Sequence, residues 1–169
     1  MKLIVKKYKI LSSTNDKAIS LIKKNKLKPT IILSDSQKKG RGRYGKKWIS
    51  FTGNLFMSIF FEIKKNISVS KFNKKNCLII KKSLSKILKN INVKSPNDLL
   101  VKKKKFCGIL QETLIHEGKK FMIVGIGINI KKSPYIADYP TCHINEFSNK
   151  KVNKFYIYSL IKKGFEKKY

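Results

Sequence analysis

The spacing of apolar and polar residues divides the first part of the chain into a strand, a helix and a second strand. Residues 2–10 alternate apolar and basic side chains, the period-two pattern of an edge or half-buried strand. Ser12-Ser13-Thr14-Asn15-Asp16 follows, a polar cluster with helix-cap chemistry. Ala18, Ile19, Leu21, Ile22 and then Leu27 recur at helical spacing, so a helix is predicted to run to about Asn25, with Pro29 ending the segment. Residues 30–34 form a short apolar strand, and a basic, glycine-rich loop fills 36–48.

The rest of the chain is read in the same way. Residues 54–63 make an aromatic-rich strand. Residues 69–90 predict a helix with Phe72, Leu78, Ile79, Leu84, Ile87 and Leu88 facing inward. Residues 91–93 form a strand that leads into Lys94-Ser95-Pro96-Asn97-Asp98, then a short strand over 99–101 and a charged turn over 102–105. Residues 106–115 and 119–130 predict a hairpin around Glu117-Gly118. A loop with Pro134 and Pro140 precedes a basic amphipathic helix over 152–167. The sum is one α+β domain with a single mixed or antiparallel sheet and flanking helices. A chain of 169 residues is long enough for one such core.

Charge complicates this picture. There are 40 basic residues against 9 acidic ones, a net charge of +31. That balance alone is the footprint of a nucleic-acid binder. However, Arg41 and Arg43 are the only arginines and all other basic residues are lysines. Arginine supplies the bidentate contacts that a dedicated nucleic-acid reader uses. The lysine excess therefore reads as a solvated surface with weak polyanion affinity, and no specific nucleic-acid partner is expected. Cys77, Cys107 and Cys142 form no C-x-x-C pair, which indicates neither a disulfide framework nor a zinc site and fits a reducing cytoplasm. No apolar run reaches membrane-spanning length, and the first residues lack the continuous apolar stretch of a signal peptide, so no membrane partner is expected.

Three glycine motifs come close to phosphate-binding signatures. Gly40-x-Gly42-x-x-Gly45 has dinucleotide spacing, but Trp48 and then a strand follow where a helix is needed. Gly40-x-x-x-x-Gly45-Lys46-Lys47 lacks the hydroxyl that a P-loop places last. Gly125-Ile126-Gly127 lies inside an apolar run and reads as a strand that another backbone or a ligand approaches closely. What survives is a loop whose backbone can cradle an anion, whose two arginines can grip carboxylate or phosphate, and whose following indole can stack on a purine.

Four ordered segments carry a resemblance. They are Ser13-Thr14-Asn15; Gln37 with Gly40-Arg41-Gly42-Arg43-Tyr44-Gly45-Lys46-Lys47-Trp48; Lys94-Ser95-Pro96-Asn97-Asp98; and Phe106-Cys107-Gly108-Ile109-Leu110-Gln111-Glu112 with Gly125-Ile126-Gly127-Ile128-Asn129. Together they resemble the catalytic domain of the biotin–protein ligase family, a class II synthetase-like biotin/lipoate ligase fold. The resemblance implies formation of biotinyl-5′-AMP from biotin and ATP with substrate-associated Mg²⁺. It also implies transfer of biotin to a lysine of a biotin carboxyl carrier domain. By position, it puts Ser13, Thr14, Asn15 and Gln37 at the biotin ring and makes Gly40, Arg41, Gly42 and Arg43 the loop that closes over biotin and the acyl phosphate. Gly108 and Ile109 would supply backbone contacts. Lys94 and Arg43 would be the catalytic cations. Trp48, with Arg43 and Lys94, would serve the nucleotide, Asn97, Asp98 and Asn129 would be nucleotide- or metal-side groups, and no residue is assigned as a metal ligand.

Taken singly, several of these residues have plainer readings. Ser13-Thr14-Asn15 is also a good N-cap, and Lys94 gains weight only from the Pro96-Asn97-Asp98 beside it. Ser95 stands where the family commonly carries an aromatic residue. The family's N-terminal helix-turn-helix and C-terminal β-barrel have no counterpart, so residues 1–169 are expected to be the catalytic domain alone. A homodimer is one assembly the resemblance allows. Two rivals stand beside this reading. One is a lipoyl or octanoyl transferase or ligase of the same fold, for which Cys107 and Cys142 are the acyl-enzyme candidates. The other is a non-catalytic basic nucleic-acid-binding protein.

Overall fold

A computed structural model describes residues 1–66 and 68–169. Seven strands form one sheet: β1 (Ile4–Leu11), β2 (Thr30–Gln37), β3 (Leu55–Ile63), β4 (Asn92–Lys94), β5 (Asp98–Val101), β6 (Lys104–His116) and β7 (Lys119–Ile128). Their spatial order is β1-β2-β3-β7-β6-β5-β4. The first pair is parallel and every other pair antiparallel, so the sheet is mixed. Three helices flank it: α1 (Thr14–Lys23), α2 (Val69–Leu84) and α3 (Lys154–Lys168).

Alternation along the strands sorts their side chains onto two faces. On β3, Leu55, Met57, Ile59, Phe61 and Ile63 join the main core with Ile80 and Leu84 of α2 and Ile157, Ile161 and Phe165 of α3. The intervening Phe60 turns the other way, to Ala18, Leu21 and Ile22 of α1, where Phe121 and Ile123 of β7 meet it. One face is thus covered by two helices. The other carries α1 over only part of its surface.

Helix α1 starts where the polar cluster predicts. Ser13 is its N-cap and accepts from the Asp16 amide at 3.4 Å, and Asp16 lies in the first turn, where a negative charge suits the helix dipole. Strand β2 runs three residues beyond its predicted end because it pairs with β1 as far as Leu11 and Gln37. This carries Gln37 to the start of α1, where its Oε1 accepts from the Thr14 amide at 2.8 Å and the Thr14 hydroxyl at 3.1 Å. The hairpin forms as expected. Glu117 and Gly118 both take positive φ, 46° and 70°, as a tight two-residue turn requires.

Three expectations are corrected. Helix α2 stops at Leu84 rather than near residue 90: the Ser83 and Ser85 hydroxyls bond back to the carbonyls of Ile79 and Lys81, and the Ile87 and Leu88 amides both turn onto Leu84 O. Leu78 is exposed, at 58%, and the inward stripe includes Cys77, Ile80 and Leu84. One residue of helix is a rotation of about 100°, enough to move Leu78 from the core to water. Lastly, the turn after β5 is only Lys102 and Lys103, both at positive φ, so Lys104 and Lys105 already belong to β6.

Candidate active site

On the face that α1 leaves partly bare, β7 changes character along its length. Phe121 and Ile123 pack under the helix, and the next two residues with the same orientation are Gly125 and Gly127. Gly127 is the register partner of Gly108 on β6. The indole of Trp48 lies across this pair: a Cβ on Gly108 would stand 2.6 Å from Cζ3, and one on Gly127 would stand 2.7 Å from Cζ2. Asn15 lies on Gly125 in the same way, with its Cγ 2.9 Å from where a Cβ would be. The two glycines of Gly125-Ile126-Gly127 are thus sites of close approach, as the sequence indicates.

Above this floor is a cleft of about 310 Å³. Ser13, Asn15 and Gln37 line one end, Arg41, Gly42, Arg43 and Trp48 come from the loop, Lys94 comes from the end of β4, and Asn97 comes from the turn that follows it. Gly108 and Ile109 also border it, although the Ile109 amide is already taken by Asn97 O at 2.9 Å. The Ser95–Pro96 bond in that turn is cis. The sequence-derived set therefore converges, with three exceptions. Thr14 stands behind Gln37. Gly40 lies at the loop base, where its carbonyl accepts from the Trp48 amide at 2.9 Å. Asn129 lies beyond Trp48, in a small pocket of about 20 Å³.

The loop is a short hairpin rather than a loose coil. Arg41 bridges Lys47, Gly42 N donates to Lys46 O at 2.6 Å, and Tyr44 and Gly45 turn the tip at φ 53° and 73°. The two arginines differ. Arg43 donates to the Tyr44 hydroxyl at 2.8 Å and makes no ion pair among the described residues. Arg41 pairs with Glu112 and Asp16. Its partial burial works against the charge, but the carboxylates outweigh that effect and hold the guanidinium above its ordinary value.

One cation was hidden in the sequence. Lys105 Nζ is 3.0 Å from Asp98 Oδ1, 5.6 Å from the Trp48 ring centre and 5.0 Å from that of Tyr139. Its side chain is only 16% exposed, whereas Lys94 is exposed. Lys105 borders both the cleft and the small pocket, as Trp48 does. Strict alternation would put residues three apart on opposite faces. The register shift between Leu99 and Leu100 lets Lys105 share the cleft with Gly108. The segment that brings Tyr139 in is held by Lys105 N on Pro140 O at 2.9 Å and Cys142 N on Lys105 O at 3.0 Å.

Two buried polar atoms belong to residues that line the small pocket. Trp48 Nε1 and Asn129 Oδ1 have no hydrogen-bond partner among the described residues, while Asn129 Nδ2 is fixed to Cys142 O at 3.2 Å. The cysteines stand outside the lining of both pockets. All three are buried, and burial pushes the Cys107 thiol well up, Cys77 to about 11 and Cys142 to about 12. Among the described residues, no group of three or more His, Cys, Asp or Glu side chains could hold a metal ion.

Comparisons with known proteins bear on the family and the fold. The family model described as "Biotin/lipoate A/B protein ligase family" matches residues 8–129. The chain is 30% identical over 172 residues to the bifunctional ligase/repressor BirA of Bacillus subtilis, covering 95% of this chain and 52% of that protein. The chain thus spans about half the length of the curated relatives it matches. Its structure is similar to biotin protein ligase from Aquifex aeolicus in complex with biotin and ATP, with a TM-score of 0.81 and 26% identity, over 97% of this chain and 69% of that one. The fold is also shared with biotin protein ligase from Leishmania major in complex with biotinyl-5-AMP, with a TM-score of 0.84 and 23% identity, over 95% and 72% of the two chains. With the family match covering the strands, the loop and the glycine floor together, the chain belongs to the biotin/lipoate A/B protein ligase family.

Proposed function

We propose that this protein activates biotin with ATP and transfers it to a lysine of a biotin carboxyl carrier domain. The observation that carries this reading is the cleft itself. Lys94, Lys105 and Arg43 are among the cations that line it, over a floor cleared of side chains at Gly108, Gly125 and Gly127, and one indole stands between that cleft and a second pocket.

In the first step a biotin carboxylate oxygen attacks the α-phosphorus of ATP, and the bond to pyrophosphate breaks. Two anions are brought together, so positioning and charge stabilisation dominate and no side-chain nucleophile is needed. Lys105 and Lys94 are suited to the carboxylate and α-phosphate oxygens, and Arg43 to the same charge from the lid. Mg²⁺ enters with the ATP phosphates as part of the substrate. Ser13, Asn15 and Gln37 offer the donors and acceptors that an amide-like ring needs. Asn129, with its free Oδ1, serves the nucleotide on the far side of Trp48. In the second step the carrier amine attacks the acyl carbon, AMP leaves, and the amine proton passes to solvent. The anhydride is labile, so a lid that excludes water fits the chemistry.

The three free, buried cysteines support a reducing, cytoplasmic setting. No helix among the described residues is long and apolar enough to cross a membrane. An acidic carrier surface would complement the net charge of +31 and speed encounter. The decisive test is biotin-dependent exchange of pyrophosphate into ATP, followed by an avidin blot of a carrier domain. Exchange with lipoate or octanoate but not biotin overturns the choice of acid. Salt-sensitive nucleic-acid binding without any exchange overturns the enzyme.

A further inference from the structure

The chain's two arginines sit two residues apart in one loop, yet only one is available to a ligand. Arg41 makes a bidentate pair with Glu112, Nη1 to Oε1 at 3.0 Å and Nη2 to Oε2 at 2.9 Å, and its Nη2 is also 2.8 Å from Asp16 Oδ1. The same Glu112 Oε2 accepts from Asn15 Nδ2 at 2.6 Å, and Asn15 Oδ1 accepts from the Ser58 hydroxyl at 2.5 Å. One unbroken line of polar contacts therefore runs from β3 through the start of α1 and β6 to the base of the loop. Asn15 in turn lies flat on Gly125.

Forked guanidinium–carboxylate pairs fix orientation as well as distance. For Arg41 to grip a substrate anion it would have to abandon two carboxylates, and Glu112 would be left facing the amide of Asn15 alone. Arg43 has no such tie among the described residues. We infer that Arg41 and Glu112 are positioning residues that lock the base of the lid to the acid-binding end of the cleft, leaving Arg43 at the tip as the cation the lid delivers. The inference rests on the ligase reading and refines it: the two arginines divide anchoring from charge stabilisation.

The test compares Arg41→Ala, Arg41→Lys, Glu112→Gln, the Arg41→Ala/Glu112→Gln double variant and Arg43→Ala in the full chain. Two readouts are used: biotin-dependent ATP–pyrophosphate exchange, and amide hydrogen exchange over residues 38–48 without substrate. Loss of the anchor is expected to raise KM for biotin about tenfold with kcat nearly unchanged, whereas Arg43→Ala lowers kcat. Arg41→Lys is expected to behave like the alanine variant because an ammonium cannot reproduce the fork. The double variant is expected to be no worse than the poorer single one, as for two partners in one contact. Loop amides exchange faster in the anchor variants and not in Arg43→Ala. Additive single effects, a kcat loss in Arg41→Ala matching that of Arg43→Ala, or unchanged loop exchange overturns the inference. If the wild-type protein shows no biotin-dependent exchange, the ligase reading fails, and the amide exchange alone decides the anchor.

Discussion

The two faces of the sheet are built from the same strands and do opposite things. Toward α2 and α3, β7 presents Met122, Val124, Ile126 and Ile128, all buried in one apolar cluster. Toward α1 the same strand presents Phe121, Ile123, Gly125 and Gly127. A complete set of side chains closes the first face. On the second, two missing side chains make room for an amide and an indole, and the space above them is the cleft. The difference shows that this site is made by subtraction on a strand whose opposite face is fully packed.

The sharpest separation of the faces comes from Phe165→Ala, which empties a fully buried position in the aromatic group of Phe61, Phe165 and Tyr169. It is expected to cost about 4 kcal/mol of stability, read from the urea midpoint, with KM unchanged in the folded fraction. Lys105→Ala acts on the other face. It should lower kcat/KM for adenylation by about 10²–10³-fold with the midpoint nearly unchanged. Gly127→Val should follow at about 10²-fold, because the added side chain displaces Trp48. If its activity is normal, the glycine floor does not shape the site.

Alkaline pH tests the closed face through its thiols. Burial keeps the Cys77 and Cys142 thiols neutral, with values raised to about 11 and about 12 from an ordinary 9. A raised value means that this contribution is whole below the unfolded value. It is lost as pH rises through the folded one, because the unfolded chain releases its protons first. The urea midpoint is therefore expected to fall by a modest amount between neutral pH and about pH 10, and less so in Cys77→Ser. The smallest effect on activity is expected from Lys94→Ala. This lysine shares the carboxylate and α-phosphate oxygens with Lys105, but it is exposed and solvent screens its charge, so its loss should lower kcat/KM by about tenfold. A deficit equal to that of Lys105→Ala would make the two lysines equal partners.

Most of the fold could be read from local pattern. The cap in the polar cluster before α1, the hairpin at Glu117-Gly118 and the aromatic-rich strand β3 each rest on neighbouring residues, and each forms as predicted. What local pattern misses depends on partners distant in the chain. Leu78 has helical spacing but falls just outside the stripe that α3 and the sheet cover. Gln37 reaches the site because β2 is lengthened by β1. Lys105 is one of four consecutive lysines, and only the register shift opposite it and the carboxylate of Asp98 single it out. Arg41 and Arg43 look equivalent until Glu112, remote in sequence, pairs with one of them. Tyr139 carries no signal beyond its nearness to Pro140.

The position of Trp48 has a spectroscopic consequence. It is the only tryptophan in the chain, and it rests on the glycine floor between the two pockets with its Nε1 unpaired. All indole emission therefore comes from the one place where the acid and the nucleotide would meet. Intensity and colour should respond to whatever fills either side, so each binding step can be followed in the unmodified protein, without a label and without turnover.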